Sequence, residues 1–324
     1  MTWLLLIGGL VLLLIGGELL VRGAVRVASQ MGVSPLLIGL TLVGFGTSSP
    51  ELVTSVQAAL TNSPGIAYGN IVGSSIANLL LILGVSALLT PIIVQSLTLK
   101  RDAVLMVAVT IVFAVLSPLF PFGRLIGLLF LAALATYIYM AFQQESKATT
   151  AHGAAYDKSL AAQEADPALS PAAPRSGSIV IPLLTAIAGL ALVVAGGVLL
   201  VDGAVDLARS FGISETVIGL TIVAVGTSMP ELVTSIVAAV RREADVAFGN
   251  IIGSNLYNLL GIGGTTALIA PSCVPAEIAS FDNIVLLAVS ALVVVFAYTG
   301  RRIARWEGGV LLAGYVVYLW WLWP

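Results

Sequence analysis

Two glutamates of this sequence are predicted to lie inside a membrane, where a charged side chain needs a partner. Glu51 ends the hexapeptide GTSSPE and Glu231 ends GTSMPE, each within a long apolar stretch. An ionised carboxylate at the centre of a bilayer costs at least ~2.5 kcal/mol. Because the other charged residues fall near helix ends or in loops, we expect a bound cation to neutralise the pair. The alternative is that both are protonated and hold helices together by hydrogen bonds.

Neutral oxygen-bearing side chains accompany each glutamate at helical spacing. They lie in the same apolar stretch as the glutamate, and at steps of four residues in the next one. The side chains are Thr47, Ser48, Thr227 and Ser228 beside the glutamates, and Asn70, Ser74, Asn78, Asn250, Ser254 and Asn258 in the following stretches. Together with the carboxylates they form an all-oxygen ligand set, which suits Ca²⁺ and Na⁺ rather than zinc, copper or nickel.

Close helix packing is the other role for small polar residues in a membrane protein. For Ser74, Asn78, Ser254 and Asn258 we favour cation binding, because they continue the stripe of oxygens. For Asn70 and Asn250 the two roles remain equally open.

Proline precedes both glutamates and predicts a break in each helix. Pro50 and Pro230 lack an N–H and clash with the carbonyls of Gly46 and Gly226, four residues earlier. Freed carbonyls are tolerated in a membrane where they face protein or a polar cavity. Broken helices at the membrane midplane commonly use such carbonyls to coordinate cations.

Glu18 is a further acid within an apolar stretch, but it has no counterpart in the second half of the chain, where Val198 stands. Arg22 follows it by one helical turn. We therefore expect an ion pair between Glu18 and Arg22 rather than a cation site.

The elements that carry these residues must span a bilayer. Of all residues, 59% are hydrophobic and only 9% are charged, too few to cover a soluble protein of this size. A transmembrane helix needs about 20 apolar residues. The sequence predicts an all-α integral membrane protein with ten such helices, over residues 3–27, 35–60, 66–90, 102–119, 122–142, 179–205, 215–240, 246–270, 283–299 and 306–323.

Two copies of one unit make up the chain. The first carries SPLLIGLTLVGFGTSSPELVTSVQAAL from Ser34, which the second repeats as SETVIGLTIVAVGTSMPELVTSIVAAV from Ser214 with 17 of 27 positions identical. Between the copies lies a polar stretch rich in Ala, Ser and Pro, typical of a linker. We divide the chain into a five-helix repeat (1–142), a linker (143–178) and a second five-helix repeat (179–324).

Five helices per repeat place the second copy in the membrane upside down, provided that the linker stays on one side. The distribution of basic residues agrees with two inverted repeats. With both termini outside, loops on the cytoplasmic side carry twelve of the fourteen Lys and Arg residues, and outer loops carry only Arg124 and Arg209. We therefore predict a multi-pass protein of the cell (inner) membrane with a cytoplasmic linker.

The duplicated motifs carry a family resemblance. GTSSPELVTS with GNIVGSSIANLL, and GTSMPELVTS with GNIIGSNLYNLL, resemble the two alpha repeats of the cation/calcium antiporter superfamily. The whole chain is similar to its prokaryotic sodium/calcium exchanger branch. The resemblance implies alternating access, with Na⁺ and Ca²⁺ competing for one central site. It implies ligation by the carbonyls of Gly44 and Ala224, and by Thr47, Ser48, Glu51, Ser74, Asn78, Thr227, Ser228, Glu231, Ser254 and Asn258.

Asn258 departs from some exchangers of that superfamily, which have an aspartate there. Two carboxylates remain, and one Ca²⁺ or two Na⁺ would neutralise them. The stoichiometry is therefore open, as is coupling to protons or potassium in place of sodium. A cation channel is the alternative from another class, but broken helices in an inverted repeat favour alternating access.

Catalysis is not expected. The sequence has one histidine, His152, and one cysteine, Cys273, and no Ser/His or Cys/His arrangement. We expect no cofactor, with Ca²⁺ and Na⁺ bound only as transported substrates. The expected partners are those ions and the lipid bilayer, with no nucleic acid and no obligatory protein partner.

Overall fold

The structure is a computed structural model that describes residues 2–33, 35–94, 97–146, 153–171, 179–299 and 302–323. These residues are almost entirely helical. Long helices are α1 (Thr2–Gln30), α2 (Ser49–Leu60), α3 (Pro64–Leu89), α4 (Leu97–Leu119), α5 (Arg124–Glu145), α6 (Ala154–Ala165), α7 (Val180–Phe211), α8 (Met229–Val240), α9 (residues 244–269), α10 (Ile278–Thr299) and α11 (Arg305–Leu322).

Two shorter helical segments lead into α2 and α8. We call residues 35–46 the first half-helix and Glu215–Thr227 the second half-helix. Each contains a π-helical turn, Gly39–Val43 in the first and Gly219–Val223 in the second. Such turns are rare and occur frequently at functional sites.

Among the described residues, six helices are long and apolar enough to cross a membrane, or seven if the second half-helix and α8 form one bent span. Three of the ten predicted stretches, 35–60, 246–270 and 306–323, do not meet that test of length and composition. They are nonetheless largely helical. The molecule is thus an all-α protein with several membrane-spanning helices, as the composition predicts.

The helix α3 lies at the centre of the molecule. In the most apolar 18-residue segment of α3, 83% of the segment is buried inside the protein, whereas the corresponding segment of α5 is only 28% buried. The peripheral helices α1 and α7 pack side by side along their length, with glycines at the contact. Their outward faces carry large apolar side chains, including Leu4, Ile7 and Ile181. An apolar exterior around a buried polar centre is what a lipid environment selects.

The two repeats meet through short backbone pairings at two places. Strand β1 (Ile92–Ile93) pairs antiparallel with β2 (Arg302–Ile303). At another point Phe122 and Ser272 exchange backbone hydrogen bonds of 3.0 and 3.1 Å. In the repeat register of 180 residues, position 92 corresponds to 272 and position 122 to 302. The two pairings are therefore equivalent contacts with the roles of the repeats exchanged.

The helix α6 lies in the segment predicted as the linker, and it packs inside the molecule. It contacts α8, α9 and the first half-helix. Its first N–H groups are bonded by α4 and α5: Ala154 N donates to Asp102 Oδ2 at 2.8 Å, and Ala155 N donates to the Tyr137 hydroxyl at 3.2 Å. A carboxylate at a helix N-terminus also stabilises the helix dipole. These bonds fix the beginning of α6 against the first repeat.

Candidate cation site

The two glutamates lie where the broken helices resume. Glu51 is in the first turn of α2 and Glu231 in the first turn of α8, and their exposed fractions are 1% and 2%. The second half-helix and α8 are bent by 49° relative to each other. The predicted break beside each proline is confirmed. A helix N-terminus carries partial positive charge, which favours a carboxylate at this position.

Serines at the breaks bond the glutamates crosswise. Ser48 of the first repeat donates to Glu231 Oε1 at 3.0 Å, and Ser228 of the second repeat donates to Glu51 Oε1 at 3.1 Å. All four side chains are buried. Residues 180 positions apart in the sequence are thus brought into one site, which the repeat suggests but does not require.

Four acceptor oxygens of the predicted ligands are buried and have no hydrogen-bond partner among the described residues. They are Glu51 Oε2, Glu231 Oε2, Asn78 Oδ1 and Asn258 Oδ1. A buried acceptor that remains unpaired costs about 1–3 kcal/mol. A cation ligated by such oxygens removes that cost, and the donor set of carboxylates, amides and hydroxyls is the one that Ca²⁺ and Na⁺ accept.

The second half-helix and α3 form one half of the site, and hydrogen bonds connect them across the two repeats. Thr227 Oγ1 donates to Asn70 Oδ1 at 2.9 Å, and Ser74 Oγ donates to the Ala224 carbonyl at 3.3 Å. Asn70 Nδ2 in turn donates to the Glu51 carbonyl at 3.1 Å. The second half-helix therefore closes tightly on α3, and Asn70 has a structural role here.

The equivalent residues of the other half, Thr47 and Asn250, form different hydrogen bonds. Among the described residues, Thr47 Oγ1 donates only to the Gly44 carbonyl, at 3.4 Å and within its own half-helix. Asn250 Nδ2 bonds Thr234 Oγ1 at 2.8 Å and Ser235 Oγ at 2.7 Å, both within its own repeat. Thr47 instead lines a crevice of about 370 Å³ between α1, α6 and α8. The two halves of the site are therefore equivalent in sequence and different in structure.

Lys158 is a correction to the sequence analysis, which found no basic residue able to neutralise the glutamates. Its side chain is fully buried, and its Nζ lies 3.2 Å from Glu231 Oε1 and 2.7 Å from Ser254 Oγ. The Tyr257 ring lies beside the same ammonium, 5.9 Å from centroid to Nζ. Lys158 belongs to α6, so its entry into the site depends on how that helix docks.

Sequence reasoning also missed Asn255, whose Oδ1 accepts from Asn78 Nδ2 at 3.2 Å. Its counterpart in the first repeat is Ser75, and the counterpart of Tyr257 is Ala77. Both differences between the repeats lie around the site, and comparing the copies position by position would have marked them. No comparable signal marks Lys158.

The ion pair expected for Glu18 is confirmed. Arg22 contacts Glu18 and also Asp166, with Nε 2.7 Å from Asp166 Oδ2. Glu18 and Asp166 both line the crevice that Thr47 borders. Two acidic side chains that line the crevice are therefore held by one arginine.

The fold and the site define a multi-pass membrane protein with a buried carboxylate centre shared by two repeats. The chain belongs to the sodium/calcium exchanger protein family, whose model matches residues 1–143 and 181–323. It is 34% identical to the sodium/calcium exchanger MaX1 of Methanosarcina acetivorans, over 98% of this chain and 97% of that one. It is 36% identical to the inner membrane protein YrbG of Escherichia coli, over 99% and 97% of the chains.

A solved structure also matches this fold. It is that of the sodium-calcium exchanger NCX_Mj soaked with Na⁺ and Ca²⁺, with a TM-score of 0.62, 33% identity and coverage of 98% of this chain and 96% of that one. The same exchanger soaked with Na⁺ and Sr²⁺ gives the same TM-score at 32% identity. The membership in a family of exchangers that the motifs suggest is thereby confirmed.

Proposed function

We propose that this protein is a secondary active antiporter that exchanges Ca²⁺ for Na⁺ by alternating access, with the ions bound between Glu51 and Glu231. The observation that carries the proposal is the pair of buried, crosswise-bonded glutamates, each with an oxygen that has no hydrogen-bond partner among the described residues. Family membership and the match to an exchanger that was soaked with Na⁺ and Ca²⁺ support the choice of ions.

The ligands that we propose are those of the two breaks and the facing helices. Their oxygens are carboxylate, hydroxyl, amide and carbonyl oxygens. The set is Glu51, Glu231, Thr47, Ser48, Thr227, Ser228, Ser74, Asn78, Ser254, Asn258 and the carbonyls of Gly44 and Ala224. With two carboxylates, one Ca²⁺ or two Na⁺ give a neutral site, which a poorly solvated cavity favours over a charged one. That equivalence of charge is the physical basis for exchange of one ion type for the other.

The difference between the two halves of the site supports alternating access. On one side Thr227 and Ser74 join the repeats, whereas on the other side Thr47 faces a crevice and Ser254 bonds Lys158. Exchanging the two arrangements would open the site to the opposite side of the membrane. Both repeats carry the residues needed for the joined arrangement, so the two states are related by the repeat itself.

The direct test of this function is calcium uptake into sodium-loaded lipid vesicles in which the purified protein has been reconstituted. Uptake should follow an outward Na⁺ gradient and cease when the gradient is dissipated. Imposing K⁺ and pH gradients in turn separates a potassium- or proton-linked exchanger from a sodium-linked one. Calcium flux that continues without any counter-ion would identify a channel and overturn the proposal.

Inverted repeats and a cytoplasmic linker make a labelling prediction. Single cysteines placed near His152, which lies outside the described residues, should react only with reagents applied from the cytoplasmic side. Cysteines near Pro64 should react only from outside, since one helix pair separates that loop from the N-terminus. The exchanged roles of the backbone pairings at Ile92 and Ser272 support this arrangement. Labelling of both sites from one side would exclude it.

Asn258→Asp should shift the ion balance of transport without abolishing it. Asn258 lies one turn after Ser254 and its Oδ1 is buried without a partner among the described residues. A third carboxylate beside two others repels them, so protonation competes better with cations and transport should become more sensitive to acid. Calcium-driven currents and sodium dependence from about pH 6 to 8 measure the change, together with the charge moved per calcium.

The matched control for that substitution is Asn283→Asp. Asn283 is equally buried, but it bonds Ser117 at 2.7 Å and is not among the proposed ligands. Asn78→Asp, the repeat counterpart, should behave like Asn258→Asp. An Asn258→Asp protein with the parent's pH profile and charge per calcium would show that Asn258 does not face the ions.

A further inference from the structure

The linker helix α6 brings a positive charge into the proposed cation site. Lys158 Nζ contacts both Glu231 Oε1 and Ser254 Oγ, and both partners are proposed cation ligands. The ammonium is fully buried. Because Ca²⁺ binds its oxygen ligands at about 2.3–2.6 Å, a cation held by the same oxygens would have to occupy the same space.

A comparison of α3 with its repeat counterpart α9 shows which face of α9 is covered by α6. In the first repeat, a Cβ added to Gly69 of α3 would lie 2.9 Å from Gly219 Cα, so α3 packs directly on the backbone of the second half-helix. The counterpart of Gly69 is Gly249 of α9. A Cβ there would collide with Asp157 of α6 instead. The helix α6 therefore occupies the face of α9 that, by the repeat, corresponds to the docking face of a half-helix.

Contacts along α6 show that the docking is extensive. Ala154, Ala155, Ala161 and Ala162 are all buried. A Cβ on Gly253 would lie 3.1 Å from Lys158 Cβ, so the backbones of α6 and α9 approach closely where the lysine enters. The small buried residues of α6 and the hydrogen bonds of its first N–H groups therefore show a specific, closely packed docking of this helix.

Charge makes binding of Lys158 and of calcium mutually exclusive. Two carboxylates and one ammonium leave the site with one negative charge, and Ca²⁺ added to that arrangement would produce a net positive charge in a medium of low dielectric constant. With Lys158 withdrawn, one Ca²⁺ neutralises the two glutamates. Removal of Lys158 alone would leave Glu231 buried and unpaired, so one cation must replace the other.

We propose that α6 is an autoinhibitory element whose Lys158 ammonium competes with Ca²⁺ for Glu231 and Ser254, and that transport requires α6 to leave this position. This inference rests on the proposed function, because it assigns regulation to the same cation site. The residues before and after α6 connect it to α5 and α7, so its effective concentration at the site is high and independent of protein concentration.

The first experiment compares Lys158→Met with Lys100→Met in sodium-loaded vesicles. Methionine keeps an unbranched apolar side chain and removes the charge. Lys100 is a matched control, since it is also buried but lies over the Tyr298 ring, 5.5 Å from Nζ to the centroid. We expect Lys158→Met to lower the calcium concentration for half-maximal uptake by about tenfold, equivalent to about 1.4 kcal/mol. Lys100→Met should match the parent.

An unchanged or raised half-maximal calcium concentration in Lys158→Met would overturn the proposal, because a competitor cannot be removed without effect. A second measurement covers a variant that folds poorly. In a Cys273→Ser background, Ala161→Cys places one thiol on the buried face of α6. We expect Ca²⁺ to increase its rate of maleimide labelling several-fold, as α6 leaves. Ala297→Cys, equally buried in α10, should show no such increase.

The labelling result also separates the two proposals. If Ca²⁺ accelerates labelling at Ala161→Cys while the parent shows no sodium-dependent calcium uptake, then α6 competes with the cation and the exchange function is wrong. If the parent exchanges the ions while Ca²⁺ leaves labelling unchanged or slows it, then exchange stands and α6 is only a structural strap.

Discussion

Glu51→Gln and Glu231→Gln should each abolish calcium transport while the protein remains folded. Glutamine keeps the shape and can still accept from Ser228 or Ser48, but it removes half of the negative charge that holds a divalent ion in a buried site. Removing one partner of a buried charge pair costs about 3–5 kcal/mol. At 1.4 kcal/mol per factor of ten, uptake should fall at least about 100-fold.

The matched control is Asp282→Asn. Asp282 is another buried acid, with an exposed fraction of 1%, but it accepts from the Tyr318 hydroxyl at 2.9 Å in α10 and α11, and it is not a proposed ligand. Its substitution should leave sodium-dependent uptake within about twofold of the parent, which is within ~0.4 kcal/mol. Size-exclusion profiles establish that the variants are folded. Parental calcium flux in either glutamine variant would refute the site.

A disulfide that fastens the second half-helix to α3 should stop exchange reversibly. A Cβ on Gly65 would lie 3.1 Å from Glu215 Cβ and 2.9 Å from Thr216 N. A slight separation of the two helices is therefore needed to reach the Cβ–Cβ distance of about 3.5–4.5 Å found in disulfides. Both residues are at the start of their helices, away from the glutamates. If transport requires this half of the site to open, Gly65→Cys/Glu215→Cys in a Cys273→Ser background should lose nearly all activity on oxidation.

Reduction provides the internal control for the cross-link. Activity should return when the disulfide is reduced, and each single-cysteine variant should be unaffected by the oxidant. Uptake in sodium-loaded vesicles and the cross-linked fraction are measured on the same sample. A fully cross-linked protein that transports at the rate of its reduced form would show that α3 and the second half-helix do not separate, which excludes the alternating-access proposal.

The contact between Lys158 and Glu231 leads to a further prediction for the two glutamine variants. Glu231→Gln should weaken the docking of α6 as well as cation binding, whereas Glu51 has no contact with Lys158 among the described hydrogen bonds and ion pairs. Glu51→Gln should therefore leave labelling of Ala161→Cys slow in the absence of calcium, and Glu231→Gln should accelerate it. The two glutamates are equivalent in sequence, and the linker makes them different.

Composition and repetition of the sequence determined the membrane location, the duplicated unit and the candidate ligands. These properties are local: a long apolar stretch predicts a membrane-spanning helix wherever it lies in the chain, and GTSSPE and GTSMPE place Pro50 and Pro230 so that each helix must break. The break fixes Glu51 and Glu231 in a first helical turn, which the structure confirms.

Only the tertiary structure decided which half of the site is joined and what fills the other half. Thr47 and Thr227 have the same neighbours in sequence, so no local pattern distinguishes the one that bonds across the repeats. The docking of α6, with the sequence AAYDKSLAAQEA, against α9 could not be predicted either. An alanine-rich polar helix has no apolar stripe from which a packing partner could be inferred. Lys158 reaches Glu231 because the backbones of α6 and α9 approach closely at Gly253, and that approach exists only once the two repeats and the linker have packed together.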